Sequence, residues 1–123
     1  MSDDRRAFFE KFVDLMYGQQ DVLAAFDTYV AVDYIQHNPG LADGRNDARD
    51  ALAEKFGDPE FDVTVERMLV DGDLCALHIR ARRDGKPAAA VVDFYRADGD
   101  YVVEHWDVIQ EVPERSANSN TMF

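Results

Sequence analysis

The chain has 123 residues, of which 46% are hydrophobic, and a formal net charge of −12 at pH 7. This length predicts one domain over residues 1–123, with a tail from 113 to 123, and the apolar content suffices for a core. The acidic balance argues against nucleic-acid binding, which needs a basic surface. No apolar run approaches the roughly 18 residues of a membrane span, and no signal region follows the N-terminus, so we expect a soluble, cytoplasmic protein.

The cysteine count and the missing motifs limit the chemistry further. The single cysteine, Cys75, excludes an internal disulfide bond and a metal site built from several cysteines. It lies in a strand-like run, where a small buried hydrophobic residue is the simplest interpretation. The sequence has neither a glycine-rich nucleotide-binding loop nor a Gly-x-Ser-x-Gly elbow.

Three segments of the first half show helical periodicity. Apolar residues recur at helical spacing, which predicts helices over 3–17, 21–29 and 45–56. Gly18 fits the position just after the first helix, and Asp21 fits the N-cap of the second. A short β-like segment at residues 32–36 leads into a loop before the third helix.

The second half alternates between apolar and polar residues, as β-strands do. Short turns separate the predicted strands, which cover 61–69, 74–83, 88–96 and 101–112. Because the turns are short, we expect neighbours in sequence to be neighbours in an antiparallel meander. The predicted fold class is therefore α+β, with three N-terminal helices packed on one face of a strongly curved, mostly antiparallel sheet.

The last strand places ionisable side chains among apolar ones. Regular alternation puts five residues on one face: Tyr101, Val103, His105, Asp107 and Ile109. His105 and Asp107 are then about 7 Å apart along the strand. A carboxylate in an apolar pocket is a usable base near neutral pH, and a histidine can orient it, which makes both candidate catalytic residues. A satisfied polar pair at a sheet edge fits the spacing equally well.

Asp93 and Tyr95 lie on the preceding strand, next to this pair. A tyrosine hydroxyl or a protonated aspartic acid can donate a hydrogen bond to an oxyanion, so Asp93 is a third catalytic candidate and Tyr95 a substrate-binding candidate. The alternative is an ion pair between Asp93 and a nearby arginine, for which the candidates are Arg80, Arg82 and Arg96.

Further polar residues precede Pro39 at a predicted strand end. Tyr34, Gln36 and His37 are substrate-binding candidates at a cavity mouth, although His37 could brace the following loop, and Asn38 fits a turn role. His78 is included with them, although its shared face with an arginine favours a structural or surface position.

The histidine spacing does not favour a metal site. No His-x-His or His-x₃-His pattern occurs, so we do not expect a catalytic metal. Trp106 falls on the strand face opposite His105, where it would pack against helices or take part in a subunit interface.

Several motifs occur in an order and spacing that resemble the SnoaL-like polyketide cyclases, within the nuclear transport factor 2-like superfamily. The branch most similar is that of the predicted aldol-condensation proteins. The similarity spans nearly the whole chain and is carried by Tyr34-Ile35-Gln36-His37-Asn38-Pro39, Gly44-Arg45, Asp93-Phe94-Tyr95-Arg96, Asp98-Gly99, Glu104-His105-Trp106-Asp107-Val108 and the ending Asn118–Phe123.

The resemblance implies a cone-shaped barrel, in which three helices and a curved sheet enclose a deep apolar cavity. It also implies a homodimer formed through the outer surface of the sheet. In these cyclases the acid of the His-x-Asp motif is the general base, without metal or cofactor. That role would fall to Asp107, with His105 as its partner. The family's polar group on the first strand would correspond to His37 and Gln36.

Three hypotheses follow for the function. The first is a cofactor-independent enzyme for enolisation, aldol-type cyclisation or isomerisation of a carbonyl compound. The second is a non-catalytic dimeric module that binds a small apolar ligand, with Asp107 as a hydrogen-bonding anchor. The third is a dimer whose filled core leaves no pocket. The apolar ending, Met122 and Phe123, predicts a tail that folds against the pocket mouth or a partner subunit.

Overall fold

The computed structural model describes residues 2–123. Its three α-helices lie in the first half of the chain, as predicted: α1 is Ser2–Val13, α2 is Val22–Tyr29 and α3 is Arg45–Phe56. The strands are β1 Val30–Gln36, β2 Phe61–Asp71, β3 Leu74–Arg83, β4 Lys86–Asp98 and β5 Tyr101–Glu111. None of the described helices is both long and apolar enough to cross a membrane.

The end of the first helix differs from the prediction. After Val13 the chain continues through one turn of π-helix, Asp14–Gly18, so Gly18 lies inside the helical segment rather than just beyond it. A wider turn accommodates an extra residue, and both Met16 and Tyr17 are buried. The predicted cap of α2 is confirmed, because the Asp21 side chain accepts a hydrogen bond from the Ala24 backbone N–H.

The sheet contains the predicted meander and one strand more. Its order is β1-β5-β4-β3-β2, with antiparallel pairing from β2 to β5. The short segment before the loop becomes β1, which pairs in parallel with β5 at the edge of the sheet. Three helices on a mixed, mostly antiparallel, curled sheet confirm the predicted α+β class.

Strand alternation gives the sheet two faces. We call the face that packs against the helices the inner face; on β3 it carries Cys75, Leu77, Ile79 and Ala81, all buried. The opposite, outer face carries the intervening β3 residues, His78 and Arg80 among them. Most of the core lies between the inner face and the helices, and its fully buried large side chains include Phe9, Phe12, Phe26, Val30, Tyr34, Leu77 and Val102.

A bulge shifts the alternation at the start of β5. Arg96 pairs with Glu104, but the next residue, Ala97, pairs with Val102, so one extra residue is inserted in β5. Val102 is therefore fully buried, whereas Tyr101 is 49% exposed. The predicted common face is wrong for Tyr101, because the inserted residue, Val103, reverses the orientation of the residues before it.

The tail reaches the outer face of the sheet. The Phe123 ring stacks on His78, with ring centroids 5.9 Å apart, and lies 4.5 Å from the Arg80 guanidinium carbon. Both partners point away from the helices, so the prediction that the tail covers the pocket mouth is wrong. Its contact with a partner subunit stays a prediction.

Candidate active site

A cavity of about 120 Å³ lies between the inner face of the sheet and the segment formed by the π-turn and α3. Most of its wall is apolar, with Met16, Leu52, Phe56, Val63, Ile79 and Val91 among the lining residues. On β5, His105 and Asp107 precede the apolar Ile109 in this wall, so the cavity has a polar end at His105 and Asp107 and an apolar end beyond them. The presence of this cavity beside His105 contradicts the hypothesis of a filled core.

Register brings the four polar side chains of the last two strands together. Asp93 of β4 lies directly opposite Asp107 of β5, and Tyr95 lies opposite His105. All four line the cavity. His105 and Asp93 are almost completely buried, with 4% and 7% of their surfaces exposed.

Contacts on both ring nitrogens fix the orientation of His105. Its Nδ1 lies 2.7 Å from Gln36 Oε1, and its Nε2 lies 2.9 Å from Asp93 Oδ1. The Asn38 backbone N–H, which can only donate, reaches the same Gln36 oxygen at 2.9 Å. That atom is therefore the amide oxygen, and His105 Nδ1 must carry the proton that it accepts. Nε2 is left facing the two carboxylates.

Asp93 uses both carboxylate oxygens in hydrogen bonds. Oδ1 pairs with His105, and Oδ2 accepts from the Tyr17 hydroxyl. The Tyr17 and Tyr95 hydroxyl oxygens are 2.6 Å apart, which extends the network by one group. Burial, followed by the charge of Asp93, raises the pKa of both Tyr17 and Tyr95 well above the ordinary value, so both phenols remain protonated donors. The arginines that could have paired with Asp93 contact other carboxylates instead.

Asp107 has fewer partners than Asp93. The Asn38 side-chain amide donates to its Oδ2 at 2.7 Å, and His105 Nε2 is 3.9 Å from the same oxygen. Among the hydrogen bonds of the described residues, none reaches Asp107 Oδ1. Its side chain is only 10% exposed and lines the cavity. Both oxygens of Asp93 are thus engaged in a hydrogen bond, whereas Oδ1 of Asp107 accepts none from the described residues and can accept one from a ligand.

Tyr34 and Gln36 support the site from behind. The Tyr34 ring is stacked on the His105 ring, with centroids 6.4 Å apart. Gln36 Nε2 lies 3.4 Å from the Tyr34 hydroxyl oxygen. Burial, and then Asp93, raises the pKa of Tyr34. Neither residue lines the cavity, so both contact His105 rather than the space where a ligand would bind.

His37 and His78 are on the other side of the sheet. The His37 ring stacks on Trp106 at 4.9 Å and its Nε2 lies 2.7 Å from Glu104. His78 contacts Arg67 and Phe123 on the outer face. Alternation explains both positions, because the neighbours Gln36, Leu77 and Ile79 point inward. We leave both histidines out of the candidate site. Trp106 lies on the strand face away from His105, as predicted, and stacks on His37 there.

Sequence reasoning missed Tyr17 as a residue of the site and favoured only a turn role for Asn38. Tyr17 reaches Asp93 through the π-turn, a feature without a clear sequence signal beyond a tyrosine next to a helix-ending glycine. Asn38 does hold the following turn as predicted, since its Oδ1 accepts from the Gly40 N–H at 2.7 Å. Its amide nitrogen additionally contacts Asp107, which spacing alone did not indicate.

Asp93, His105 and Asp107 are also the described side chains that could ligate a metal ion. Each offers one ligand atom, and these atoms lie within 4.8 Å of one another. A metal would have to break the hydrogen-bonding contact between His105 Nε2 and Asp93 Oδ1, which are 2.9 Å apart. The observed contacts therefore suit acid–base chemistry better than metal binding.

Comparison with known proteins places these features in a family. The SnoaL-like domain matches residues 9–105. None of the curated proteins compared is similar to the chain in sequence.

Solved structures share the fold at low sequence identity. A candidate ketosteroid isomerase from Kribbella flavida is 21% identical with a TM-score of 0.75, over 95% of this chain and 85% of that one. A candidate SnoaL-like polyketide cyclase from Jannaschia sp. CCS1 is 18% identical with a TM-score of 0.69, over 89% and 87%. An NTF2-like protein of unknown function from Mesorhizobium loti is 17% identical with a TM-score of 0.75, over 89% and 93%.

The buried phenols predict a loss of stability in alkali. Folding raises the pKa of Tyr17, Tyr34 and Tyr95, so the unfolded chain releases their protons first, above about pH 10. Below about pH 10 the three phenols contribute their full stabilisation of the folded state. Above about pH 10, each phenol lowers the free energy of unfolding by up to about 1.4 kcal/mol per pH unit. Urea unfolding across this range measures the slope.

Replacement of one phenol should flatten that slope. Tyr17→Phe is expected to cost about 1–3 kcal/mol at neutral pH, because Asp93 loses a donor, and to reduce the alkaline slope by up to about 1.4 kcal/mol per pH unit. Ultraviolet absorbance of phenolate provides the check. Ionisation of the buried tyrosines well before unfolding would contradict the geometry.

Proposed function

Because the chain belongs to the SnoaL-like domain family, we propose that it is a cofactor-independent enzyme that removes a proton from the carbon next to a carbonyl group. Asp107 is the general base in this proposal. The observation that carries it is the difference between the two facing carboxylates, since Asp107 alone has an oxygen free of hydrogen bonds from described residues. A positioned base of this kind contributes about 10²–10⁴-fold to the rate.

The step uses groups on two sides of the substrate. Asp107 takes the α-proton, the C–H electrons form a carbon–carbon double bond, and the carbonyl oxygen becomes an enolate. The neutral donor available to that oxygen in the same wall is the Tyr95 hydroxyl, which can turn its proton away from Tyr17 while Tyr17 continues to donate to Asp93. Such a preorganised donor acts strongly where the apolar walls exclude water.

The fate of the enolate decides the overall reaction. Return of the proton to a different carbon gives isomerisation, and attack of the enolate carbon on a second carbonyl gives an aldol-type cyclisation. Structural neighbours described as a candidate isomerase and a candidate polyketide cyclase support a reaction of this class. Enolisation is the step that both outcomes share.

Exchange of α-protons tests the role of Asp107. In D₂O the wild-type protein should speed deuterium incorporation into small ketones of about one ring in size, as followed by NMR. Asp107→Asn should slow it by about 10²–10⁴-fold. Folding should be preserved, because the new amide oxygen still accepts from Asn38.

Asp100→Asn is the matched control, since it removes one carboxylate from an exposed turn. It should leave exchange unchanged. Full exchange by the Asp107→Asn protein would contradict the assignment. Saturable ligand binding without any exchange by the wild type would favour the non-catalytic binding module.

We also propose a homodimer through the outer face of the sheet. Exposed apolar side chains gather there on neighbouring strands, with Leu69 71% and Val108 65% exposed, together with Leu74 and Phe94. A patch of this kind on one face supports an interface with a second copy. The tail residue Phe123 lies on the same face.

A charge in the patch should separate the subunits. Val108→Glu is expected to shift sedimentation from dimer to monomer, because it would bury carboxylates against a second copy. Leu23→Glu is the control, since Leu23 is 51% exposed on α2 and lies away from this face. A monomeric wild type at high concentration would contradict the proposal, as would equal dissociation of the two variants.

A further inference from the structure

We propose that the substrate of this cavity is a small oxo acid and that Lys55 binds its carboxylate. The inference rests on the proposed function, because it assigns the other end of the same substrate. Asp107 would face the carbon next to the carbonyl, while Lys55 would hold the anionic group at the apolar end of the cavity.

Lys55 is part of the cavity wall. It lies in the last turn of α3 and lines the cavity together with Phe56 and Phe61. Its ammonium nitrogen is 5.2 Å from the centre of the Phe61 ring, which holds the charge at the rim. Apart from His105, it is the one basic residue that the described part of the chain contributes to this wall.

The charge of Lys55 has no acidic partner. Among the side chains that the structure describes, no carboxylate lies within 4.0 Å of its ammonium, although the chain carries 25 acidic residues against 13 basic ones. Arginines such as Arg5, Arg49 and Arg83 do form ion pairs with nearby carboxylates. Lys11 and Lys86 also lack a carboxylate partner among the described residues, so what distinguishes Lys55 is that its unpaired charge belongs to the cavity wall, where it can attract an anion.

The position of Lys55 matches the polarity of the cavity. Asp93 and Asp107 repel a negative group, so an anionic substrate must keep its carboxylate away from them. On β4 the wall runs from Asp93 to Ala89, about 13 Å along the strand. Ala89 pairs with Ala81 of β3, and Ala81 pairs with Val63 of β2, two residues from the Phe61 ring that Lys55 contacts. A substrate oriented by Lys55 thus presents its carbonyl end to Asp107.

The cavity volume limits the size of that substrate. A cavity of about 150 Å³ binds benzene in a well-studied protein, and the present one has about 120 Å³. One ring or a short chain fits, with the charged group at the open rim. The inferred class is therefore a keto carboxylic acid with a single ring or a short chain.

A pair of phenols tests the inference without turnover. The phenol of 4-hydroxybenzoate imitates an enol and its carboxylate the proposed anionic group, whereas 4-hydroxybenzamide has the same shape without the charge. Calorimetry on the full chain should show that wild type prefers the acid by about fivefold. Lys55→Met, which keeps the apolar stem, should abolish or reverse that preference, and Lys55→Arg should retain it.

Lys86→Met is the matched control, because it removes an equal charge from an exposed position outside the wall. It should keep the preference for the acid. Equal binding of both probes by wild type, a preference that survives Lys55→Met, or no binding of either probe would overturn the inference. Loss of the preference in Lys55→Met without α-proton exchange by wild type would instead refute only the proposed catalysis. Exchange that depends on Asp107, with equal probe binding, would refute only the role of Lys55.

Discussion

The contact between His105 and Asp93 determines the arrangement of the whole site. Both side chains are buried, and removal of one partner from a buried pair typically costs about 3–5 kcal/mol. Their remaining polar atoms are therefore all bonded: Gln36 accepts from His105 and Tyr17 donates to Asp93. Once this network is complete, Asp107 is the carboxylate left with a free oxygen toward the cavity. The chemistry we propose follows from that difference between two neighbouring acids.

Three irregular features of the fold position the residues that hydrogen-bond to His105, Asp93 and Asp107. The parallel pairing of β1 with β5 sets Gln36 opposite His105. The π-turn after α1 brings the Tyr17 hydroxyl down to Asp93. The turn after β1, held by Asn38, carries an amide to Asp107. Each feature departs from a regular helix, meander or strand, which agrees with the tendency of functional groups to lie where regular structure is interrupted.

The sequence predicted the parts of this arrangement that depend on local periodicity. The bounds of α3 agree with its helical spacing and glycine stop, and alternation correctly turned Asp93 and His105 inward. Alternation could not reveal the bulge at Val103, because a bulge depends on the partner strand. It also could not orient His37, whose direction is set by where β1 pairs with β5. Tyr17 and Lys55 escaped notice because their roles arise from contacts between distant elements, Tyr17 with β4 and Lys55 with β2.

The protonation of His105 is the most direct test of this account. Long-range ¹⁵N–¹H NMR of the labelled protein distinguishes which ring nitrogen carries a proton. The hydrogen bond to Gln36 predicts that Nδ1 is protonated near neutral pH and that Gln36→Leu disturbs this resonance more than Asp107→Asn does. A ring with an unprotonated Nδ1 would contradict the network, and with it the reason for assigning the free carboxylate to Asp107.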